Sequence, residues 1–237
     1  MSLAQRLREP EDIDDPDLDP ALLRGALQGL ETINVLSASP AIVWRPIAQL
    51  ARRLSVDRLR VLDVATGAGD VPLALWRKCR RAGLKLELHG VDINEIALDF
   101  ARERAQASGA AIKFTRHDAL ADALPGDYDV VMCSLFLHHL DEAPAVKILA
   151  SMAQATNHLV LVSDLRRHWW GLTLAHVAGR LLTRSPIVRL DAIRSVRGAF
   201  TMSEARELAN QAGLTNASIH RRWPCRFLLS WQKPRED

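Results

Sequence analysis

The chain has 237 residues, of which 48% are hydrophobic and 25% charged, and its net charge is only +3. A mean hydropathy of −0.04 is that of a globular chain, and this length suffices for one α/β domain with an appendage. The sequence excludes a membrane-spanning protein, because no apolar run approaches the roughly 20 residues that a span needs. The charge permits nucleic-acid binding without requiring it.

The cysteines and the first residues bear on the cellular compartment. Cys79, Cys133 and Cys225 lie far apart and lack the spacing of metal ligands. We therefore predict reduced thiols and no metal site. No signal-peptide pattern opens the sequence, so a cytoplasmic protein is expected.

The first part of the chain, residues 1–55, is predicted to be an acidic tail followed by a helical cap. Residues 1–19 are acidic and are interrupted by prolines, which favours a mobile or loosely docked tail. Helical patterns start at Pro20 and at Ser39-Pro40, the second with an N-cap residue followed by proline. These helices are expected either to cap the ligand-binding edge or only to cover a face of the sheet.

Residues 60–75 read RVLDVATGAGDVPLAL, which predicts a strand, a glycine-rich turn and a helix. Glycines let a ligand approach the backbone, and the amides at the start of the helix point toward it. A dinucleotide site needs a small residue where Pro72 stands, and Asp63 and Asp70 add negative charge. The turn therefore favours a cationic or zwitterionic ligand over NAD. A turn that merely connects a strand to a helix is the alternative.

This turn carries a family resemblance. Asp63 stands two positions before the run ATGAG at 65–69, which resembles the first motif of the class I S-adenosyl-L-methionine (SAM)-dependent methyltransferases. The first glycine of that motif is replaced by Ala65, a departure typical of the ubiquinone/menaquinone-type branch. The resemblance implies SAM as cofactor and S-adenosyl-L-homocysteine (SAH) as product. It implies that the cofactor is bound by Asp63, Ala65, Thr66, Gly67 and Gly69.

The resemblance continues at the ends of later strands. Asp92 ends the predicted strand 84–92, where a carboxylate can accept hydrogen bonds from both ribose hydroxyls, and Ile93 follows it. An acid that starts the next helix is the alternative reading of Asp92. Beyond the strand 111–116, Asp118 and Ala119 match the family residues that contact the adenine.

A fourth strand ends at Ser134, which we include among the cofactor-binding residues, and a family pattern of two histidines follows it. His138 and His139 are the candidate bases, because histidine titrates near neutral pH. Consecutive residues point in different directions, so only one is expected to face the pocket. A structural or substrate-orienting histidine is the alternative. Asp164, after the strand 158–163, could orient a histidine, bind substrate or cap a helix.

An insertion at residues 165–199 interrupts the alternation of strands and helices. Its segment Trp169–Leu182 is apolar nearly all round, which is typical of a buried helix or of a lid over an apolar acceptor. Contact with a membrane surface is a further expectation. We predict that the acceptor is bound by Asp164, Trp169, His176 and Arg197.

The full pattern predicts an α/β fold over residues 56–237. The fold is a doubly wound, seven-stranded, mostly parallel sheet with a terminal antiparallel hairpin, an N-terminal helical cap and a helical insertion before the last helix. The resemblance implies methyl transfer from SAM to a small molecule, which we expect to be the oxygen of a phenolic, quinol-like or other aromatic acceptor. An RNA methyltransferase and a non-catalytic SAM-binding protein are the alternatives, although no nucleic-acid partner is expected. A monomer or a homodimer is expected.

Overall fold

A computed structural model describes residues 3–15, 17–36, 39–183 and 185–234, with the backbone alone at 30–36, 39 and 182. The strands are β1 (Arg58–Val64), β2 (Lys85–Asp92), β3 (Ile112–Arg116), β4 (Tyr128–Ser134), β5 (Thr156–Leu165), β6 (Ser218–Arg222) and β7 (Arg226–Gln232). The helices are α1 (Pro20–Leu36), α2 (Ser39–Leu54), α3 (Asp70–Arg81), α4 (Glu95–Ala107), α5 (Glu142–Ala155), α6 (Trp169–Leu182), α7 (Pro186–Gly198) and α8 (Met202–Gln211).

The strands form a seven-stranded sheet in the order β3-β2-β1-β4-β5-β7-β6. The first five strands in the chain pair in parallel, whereas β7 runs antiparallel to both β5 and β6. The predicted fold class is therefore confirmed, including its terminal hairpin. The carboxyl ends of the parallel strands lie along one edge, where open α/β sheets bind their ligands.

Hydrophobic side chains alternate between the two faces of the sheet. Val61 of β1 joins the cluster formed with α2 and α3, while its neighbour Leu62 joins the cluster formed with α5 and α8. Both side chains are fully buried, as expected for a strand covered on both faces. Burial of each such side chain contributes about 1.5–3 kcal/mol before entropy is counted. These two layers hold the binding edge rigid.

The two N-terminal helices have different roles. Helix α2 packs against α3 and covers a face of the sheet, whereas α1 packs against α4, α6 and α7 beside the binding edge. The expectation of a cap over the binding edge therefore holds for α1, and the expectation of a covered sheet face holds for α2. The structure describes only the backbone at Leu30 and Ile33, two apolar positions of the helical pattern that starts at Pro20, and at Ser39.

Residues 3–15 do not form the expected loose tail, and we call them the N-terminal strap. Arg6 donates to the carbonyls of Gly198 (2.6 Å), His138 (3.1 Å) and Leu140, and its guanidinium lies 3.8 Å from the ring centroid of Phe200. The strap is docked because backbone groups at the binding edge accept these bonds. Composition alone could not show that such partners exist.

The start of α5 is unusual, and one expected strand boundary needs correction. Asp141 stands at the N-cap of α5, but its carboxylate binds Arg8 of the strap (2.6 and 2.9 Å) and makes no cap hydrogen bond. Asp164 does not follow β5, because that strand continues to Leu165. Among the described residues, no helix has both the length and the apolar character needed to cross a bilayer.

Candidate functional site

A cavity of about 550 Å³ lies at the carboxyl ends of the parallel strands. Its floor is formed by the loops that follow β1, β2, β3 and β4, and its cover by the strap, α1, α6 and α7. The predicted site residues on its wall are Asp63, Ala65, Thr66, Gly67, Asp92, Ile93, Asp118, Ala119, Ser134, His138 and His139. The other predicted site residues, Gly69, Asp164, Trp169, His176 and Arg197, are not part of this wall.

The turn after β1 is built from residues in left-handed conformations. Ala65 has a φ of 54°, Gly67 of 53° and Gly69 of 71°. A Cβ on Gly67 would meet nothing within 4 Å, so its backbone is open to a ligand. A Cβ on Gly69 would instead lie 3.0 Å from both Ala101 and Phe114. Gly69 therefore permits close packing of the turn against α4 and β3, and the prediction that it contacts a cofactor needs this correction.

Asp63 is a buried carboxyl group with unused bonding capacity. It is 2% exposed, its Oδ2 accepts a 2.7 Å hydrogen bond from the Thr66 hydroxyl, and its Oδ1 has no partner among the described residues. Burial raises the pKa of Asp63 to about 7, and the Thr66 bond offsets only part of this effect. A cation in the cavity would satisfy this group.

Asp92 connects two loops of the site. Its Oδ2 accepts the Gly67 amide (2.7 Å) and its Oδ1 accepts the Asn94 amide (2.9 Å). The N-cap of α4 is Asn94, whose side chain accepts the Ala97 amide (3.1 Å), so the reading of Asp92 as the cap of that helix is wrong. Each Asp92 oxygen keeps acceptor capacity toward the cavity, although burial raises the pKa of this carboxyl.

The loop after β3 forms the adjacent part of the wall. Asp118 Oδ1 accepts the amides of Leu120 (2.9 Å) and Ala121 (3.0 Å), which fixes the turn that carries Ala119. His117 also lines this part, and its buried Nε2 has no partner in the part of the chain that the structure describes. Ser134 Oγ, after β4, is a second buried polar atom on the wall that lacks a described partner.

The two histidines occupy a 3-10 turn, Leu137–His139, and both line the cavity. The expectation that only one faces the pocket is therefore wrong. Their ring centroids lie 4.3 Å apart. His138 is 4% exposed, and its Nδ1 lies 2.6 Å from Asp164 Oδ1. Asp164 also accepts the main-chain amide of His138 (3.2 Å) and is 1% exposed.

The environments of the two rings differ. Asp14 Oδ2 lies 2.7 Å from His139 Nδ1. Burial lowers the pKa of His139, but this bond and the charges of Glu11, Asp14 and Asp164 outweigh burial and raise it to about 9. Burial would raise the pKa of Asp164, but the neighbouring His138 holds it below its usual value. The site thus contains a cationic His139 paired with the strap and a His138 oriented by a buried carboxylate.

Glu11 joins the histidines in a cluster whose potential ligand atoms lie within 4.8 Å of one another. Such a set could hold a metal ion in principle. A protonated imidazole cannot be a metal ligand, and the raised pKa of His139 means that a metal would have to displace its proton at neutral pH. The arrangement is better explained as ion pairing between the strap and the site.

The insertion forms the apolar side of the cavity through its small residues. The wall includes Gly171, Leu174, Ala175, Ala178 and Gly179 of α6, and Ala192, Ser195 and Val196 of α7. The predicted acceptor residues on these helices point elsewhere.

Each of these acceptor residues has another contact. Trp169 is 56% exposed and stacks on Trp170, with centroids 4.2 Å apart. His176 Nδ1 bonds to the Leu172 carbonyl of its own helix (2.8 Å). Arg197 faces the strap, with Nη1 3.9 Å from Glu9 Oε2.

Several wall residues were missed by the sequence reasoning. The strap supplies Glu11, Ile13 and Asp14, α1 supplies Leu23 and Leu27, and β7 supplies the buried Arg226. The acidic run at 9–19 was visible, but its partners were not. Asp191 of α7 accepts the amides of Asp12 and Ile13 (3.0 Å each), and this pairing brings the strap over the site.

Residues 61–158 match the family model described as a methyltransferase domain. The match covers β1 to the start of β5, which includes every strand that carries the motif residues. This segment of the chain is similar to the methyltransferase domain of the class I SAM-dependent methyltransferases. The resemblance seen in the sequence is confirmed.

Two relatives illustrate the range of similarity of this chain. A ubiquinone biosynthesis O-methyltransferase of Methylococcus capsulatus is 30% identical over 157 residues, which are 60% of this chain and 64% of that protein. A 3-hydroxy-5-methyl-1-naphthoate 3-O-methyltransferase of Streptomyces sahachiroi is 32% identical over 143 residues, 58% of this chain and 37% of that protein. The chain spans slightly less than two thirds of the first relatives it matches.

Solved structures show the same fold. A SAM-dependent methyltransferase from Aquifex aeolicus has a TM-score of 0.61 and 16% identity, and the alignment covers 92% of this chain and all of that one (100%). An O-methyltransferase from neocarzinostatin biosynthesis, solved with SAH and 1,4-dihydroxy-2-naphthoic acid, has a TM-score of 0.64 and 20% identity, and the alignment covers 90% of this chain and 58% of that one.

Proposed function

We propose that this chain transfers the methyl group of SAM to an oxygen atom of an aromatic or otherwise apolar small molecule. The observation that carries the proposal is the pair formed by His138 and buried Asp164 on the cavity that also contains Asp63. A proton acceptor and a site for a cationic nucleotide-like ligand therefore share one enclosed space.

The residues of the turn fit SAM. The Oδ1 of Asp63, which has no partner in the described part of the chain, suits a positively charged ligand, and Gly67 leaves room for one at the backbone. Asp92 retains acceptor capacity for ribose hydroxyls, and Asp118 with Ala119 would border the adenine. When bound, SAM supplies a methyl group already activated by the adjacent sulfonium.

His138 is the residue that we assign to proton removal. With its Nδ1 bonded to Asp164, the ring is held in the tautomer whose Nε2 accepts a proton. Asp164 then stabilises the imidazolium that forms. His139 is the weaker candidate, because its pKa of about 9 leaves it protonated at neutral pH. We therefore treat His139 as a residue that holds the strap in place through Asp14.

The cover of the cavity supports a small acceptor. Helices α6 and α7 present mainly small and apolar side chains to the space beside His138. A flat apolar molecule can pack against such a wall, and relatives named for ubiquinone biosynthesis and for a hydroxynaphthoate support this class. Because they are related over only part of their length, the acceptor itself is our proposal.

The alternatives have less support. A structured RNA would need an open face, whereas the strap, α1, α6 and α7 cover this cavity. A protein that only binds SAM would have no use for a histidine oriented by a buried aspartate. NAD remains disfavoured because Pro72 occupies the position of the last fingerprint glycine.

The outer face of α6 supports weak contact with an anionic membrane surface. Trp169, Trp170, Val177 and Leu181 are exposed there, and Leu181 has 77% of its surface accessible. Arg180 is exposed on the same helix. Aromatic and cationic side chains on one face favour the interface of an anionic bilayer. A monomer or homodimer remains our prediction for the assembly.

Calorimetric titration with SAM and SAH, followed by transfer of labelled methyl to a panel of phenols, quinols and RNA, tests the proposed function. We expect binding of both cofactor forms and label in a phenol or quinol. His138→Asn should bind SAM normally and lose roughly 100-fold to 10,000-fold in kcat, the usual contribution of a general base. Failure to bind SAM, or label in RNA alone, would contradict the proposal.

A further inference from the structure

The cavity end at His138 contains several charged groups, and most of them are balanced. Asp14 is paired with His139 at 2.7 Å, and Asp164 is paired with His138 at 2.6 Å. Burial lowers the pKa of the Arg226 guanidinium to about 10. Asp164 opposes part of this decrease and thus stabilises the positive charge of Arg226. These pairs contribute little net charge to an incoming acceptor.

Glu11 is paired less closely than these groups, although it lies within 4.8 Å of His139 and its charge helps to raise the pKa of that ring. Its Oε1 lies 2.6 Å from the hydroxyl of Ser195, a neutral donor, and 3.7 Å from His138 Nε2. The second distance is too long for a hydrogen bond. The Glu11 side chain is only 9% exposed, and it lies on the cavity wall directly across from the nitrogen that we assign to proton removal. It therefore presents its charge to whatever approaches His138.

We propose that Glu11 restricts the acceptor to neutral hydroxyl compounds and rejects those that carry a carboxylate beside the reacting hydroxyl. This inference rests on the proposed function and deepens it. A hydroxyl within bonding distance of His138 Nε2 places its neighbouring substituent within a few ångströms of Glu11. Two carboxylates so close in an enclosed site repel strongly, and rejection by like charge is a usual source of specificity.

The same charge assists the wanted reaction. When His138 takes a proton it becomes a cation, with Asp164 at Nδ1 and Glu11 facing Nε2. Both carboxylates then stabilise the imidazolium. Because Glu11 belongs to the strap, both effects require the strap to be docked through Arg6 and Asp191. The rejection of charged acceptors by Glu11 thus depends on the docking of the strap over the cavity.

The test compares 2-naphthol with 3-hydroxy-2-naphthoate, two acceptors that share a ring system and differ by one carboxylate. Dissociation constants of both compounds are measured at pH 8 by calorimetry on the SAH-loaded protein, and kcat/KM is measured with SAM. Wild type is expected to favour 2-naphthol by about tenfold or more in both quantities. E11Q keeps the size of the side chain and its contact with Ser195. It should reduce the preference about tenfold, because 3-hydroxy-2-naphthoate should bind and react better than it does with wild type.

E9Q is the matched control, because Glu9 lies on the same strap but contacts Arg197 and does not line the cavity. Its preference should equal that of wild type. Thermal unfolding and SAH affinity establish that E11Q is folded. Glu11→Ala repeats the test with a side chain that lacks both the carboxylate and the amide.

An unchanged preference in folded E11Q, equal binding of both compounds by wild type, or binding of neither overturns the inference. If the preference in binding is present but no methyl is transferred, the proposed function fails and the charge selection stands.

Discussion

Asp164 holds His138 at two points, at the ring Nδ1 (2.6 Å) and at the main-chain amide (3.2 Å). This double contact fixes both the position of the loop and the tautomer of the ring. Asp164→Asn preserves the shape of the side chain, but the Asn amide can donate a hydrogen bond to His138 Nδ1. This bond would favour the tautomer that has its proton on Nε2, which cannot accept a proton from the acceptor hydroxyl. We predict a fall in kcat of roughly 100-fold to 10,000-fold with little change in SAM affinity.

The measurement is steady-state kinetics over pH with a calorimetric SAM titration. Asp122→Asn, at an exposed aspartate outside the cavity wall, is the control and should behave as wild type. Wild-type kcat in a folded Asp164→Asn variant would show that His138 needs no oriented tautomer.

SAM affinity should depend on Asp63. Its pKa of about 7 in the free protein means that the carboxyl is largely protonated at pH 6 and ionised at pH 8. As pH rises toward 7, the affinity for a cationic ligand should therefore increase by up to about tenfold per pH unit. Above pH 7 the affinity should level off. Asp63→Asn should bind SAM more weakly and without this pH dependence. Calorimetry at pH 6, 7 and 8 measures both effects.

The same group affects the stability of the free protein. The folded-state pKa of Asp63 lies above its ordinary value of 3.8, so the folded state holds its proton more tightly than the unfolded chain. The free energy of unfolding should consequently fall as pH rises from about 4 to 7. At pH 8, Asp63→Asn should be more stable by about 1–3 kcal/mol in denaturant titrations. A destabilised variant would mean that an undescribed partner stabilises the charge.

The His139–Asp14 pair predicts a second pH effect. The folded-state pKa of His139 is raised from 6.5 to about 9, so its stabilising contribution is complete below pH 6.5 and is lost as pH rises through 9. We expect about 1–2 kcal/mol from this partly exposed pair, reduced by solvent screening. Asp14→Asn should weaken that dependence, with the remainder due to the charges of Glu11 and Asp164. Denaturant unfolding at pH 6.5 and 9.5 would measure it, and parallel curves for the two proteins would contradict the assignment.

Ala65 is a position where a small change should stabilise the protein. Its φ of 54° is a left-handed conformation that costs a residue with a Cβ about 1–2 kcal/mol. Ala65→Gly removes this strain but adds unfolded-state entropy, which leaves a net gain of about 0.5–1 kcal/mol. The control Ala68→Gly, at a buried side chain in a hydrophobic cluster, should destabilise. Thermal unfolding compares the three proteins.

The outer face of α6 should bind anionic vesicles weakly. Co-sedimentation with vesicles containing phosphatidylglycerol should exceed that with phosphatidylcholine alone, and it should decrease with added salt. The double variant Trp169→Ser, Leu181→Ser should lose this binding while keeping its fold. Leu22→Ser, at a leucine of α1 that is 56% exposed, is the control. Equal sedimentation of all proteins would dismiss the contact.

The sheet and the cofactor loops could be predicted because their signals are local. Asp63 lies within β1, Asp92 ends β2 and Asp118 follows β3, and the apolar pattern of each strand is visible in a few residues. The strap could not be predicted this way, since Asp12 meets its partner Asp191 across 179 positions. Trp169 was misassigned because α6 is apolar nearly all round, and such a pattern does not tell which face turns inward.

The span of the strap's contacts bears on how this chain folds. The bond from Arg6 to Gly198 joins positions 192 residues apart, so it can form only after the sheet and α7 exist. Closing so long a loop is entropically costly until both ends are already organised. The strap, which precedes all the strands and the long helices in the sequence, is thus positioned last, and the cavity is complete only when the elements beneath it have been assembled.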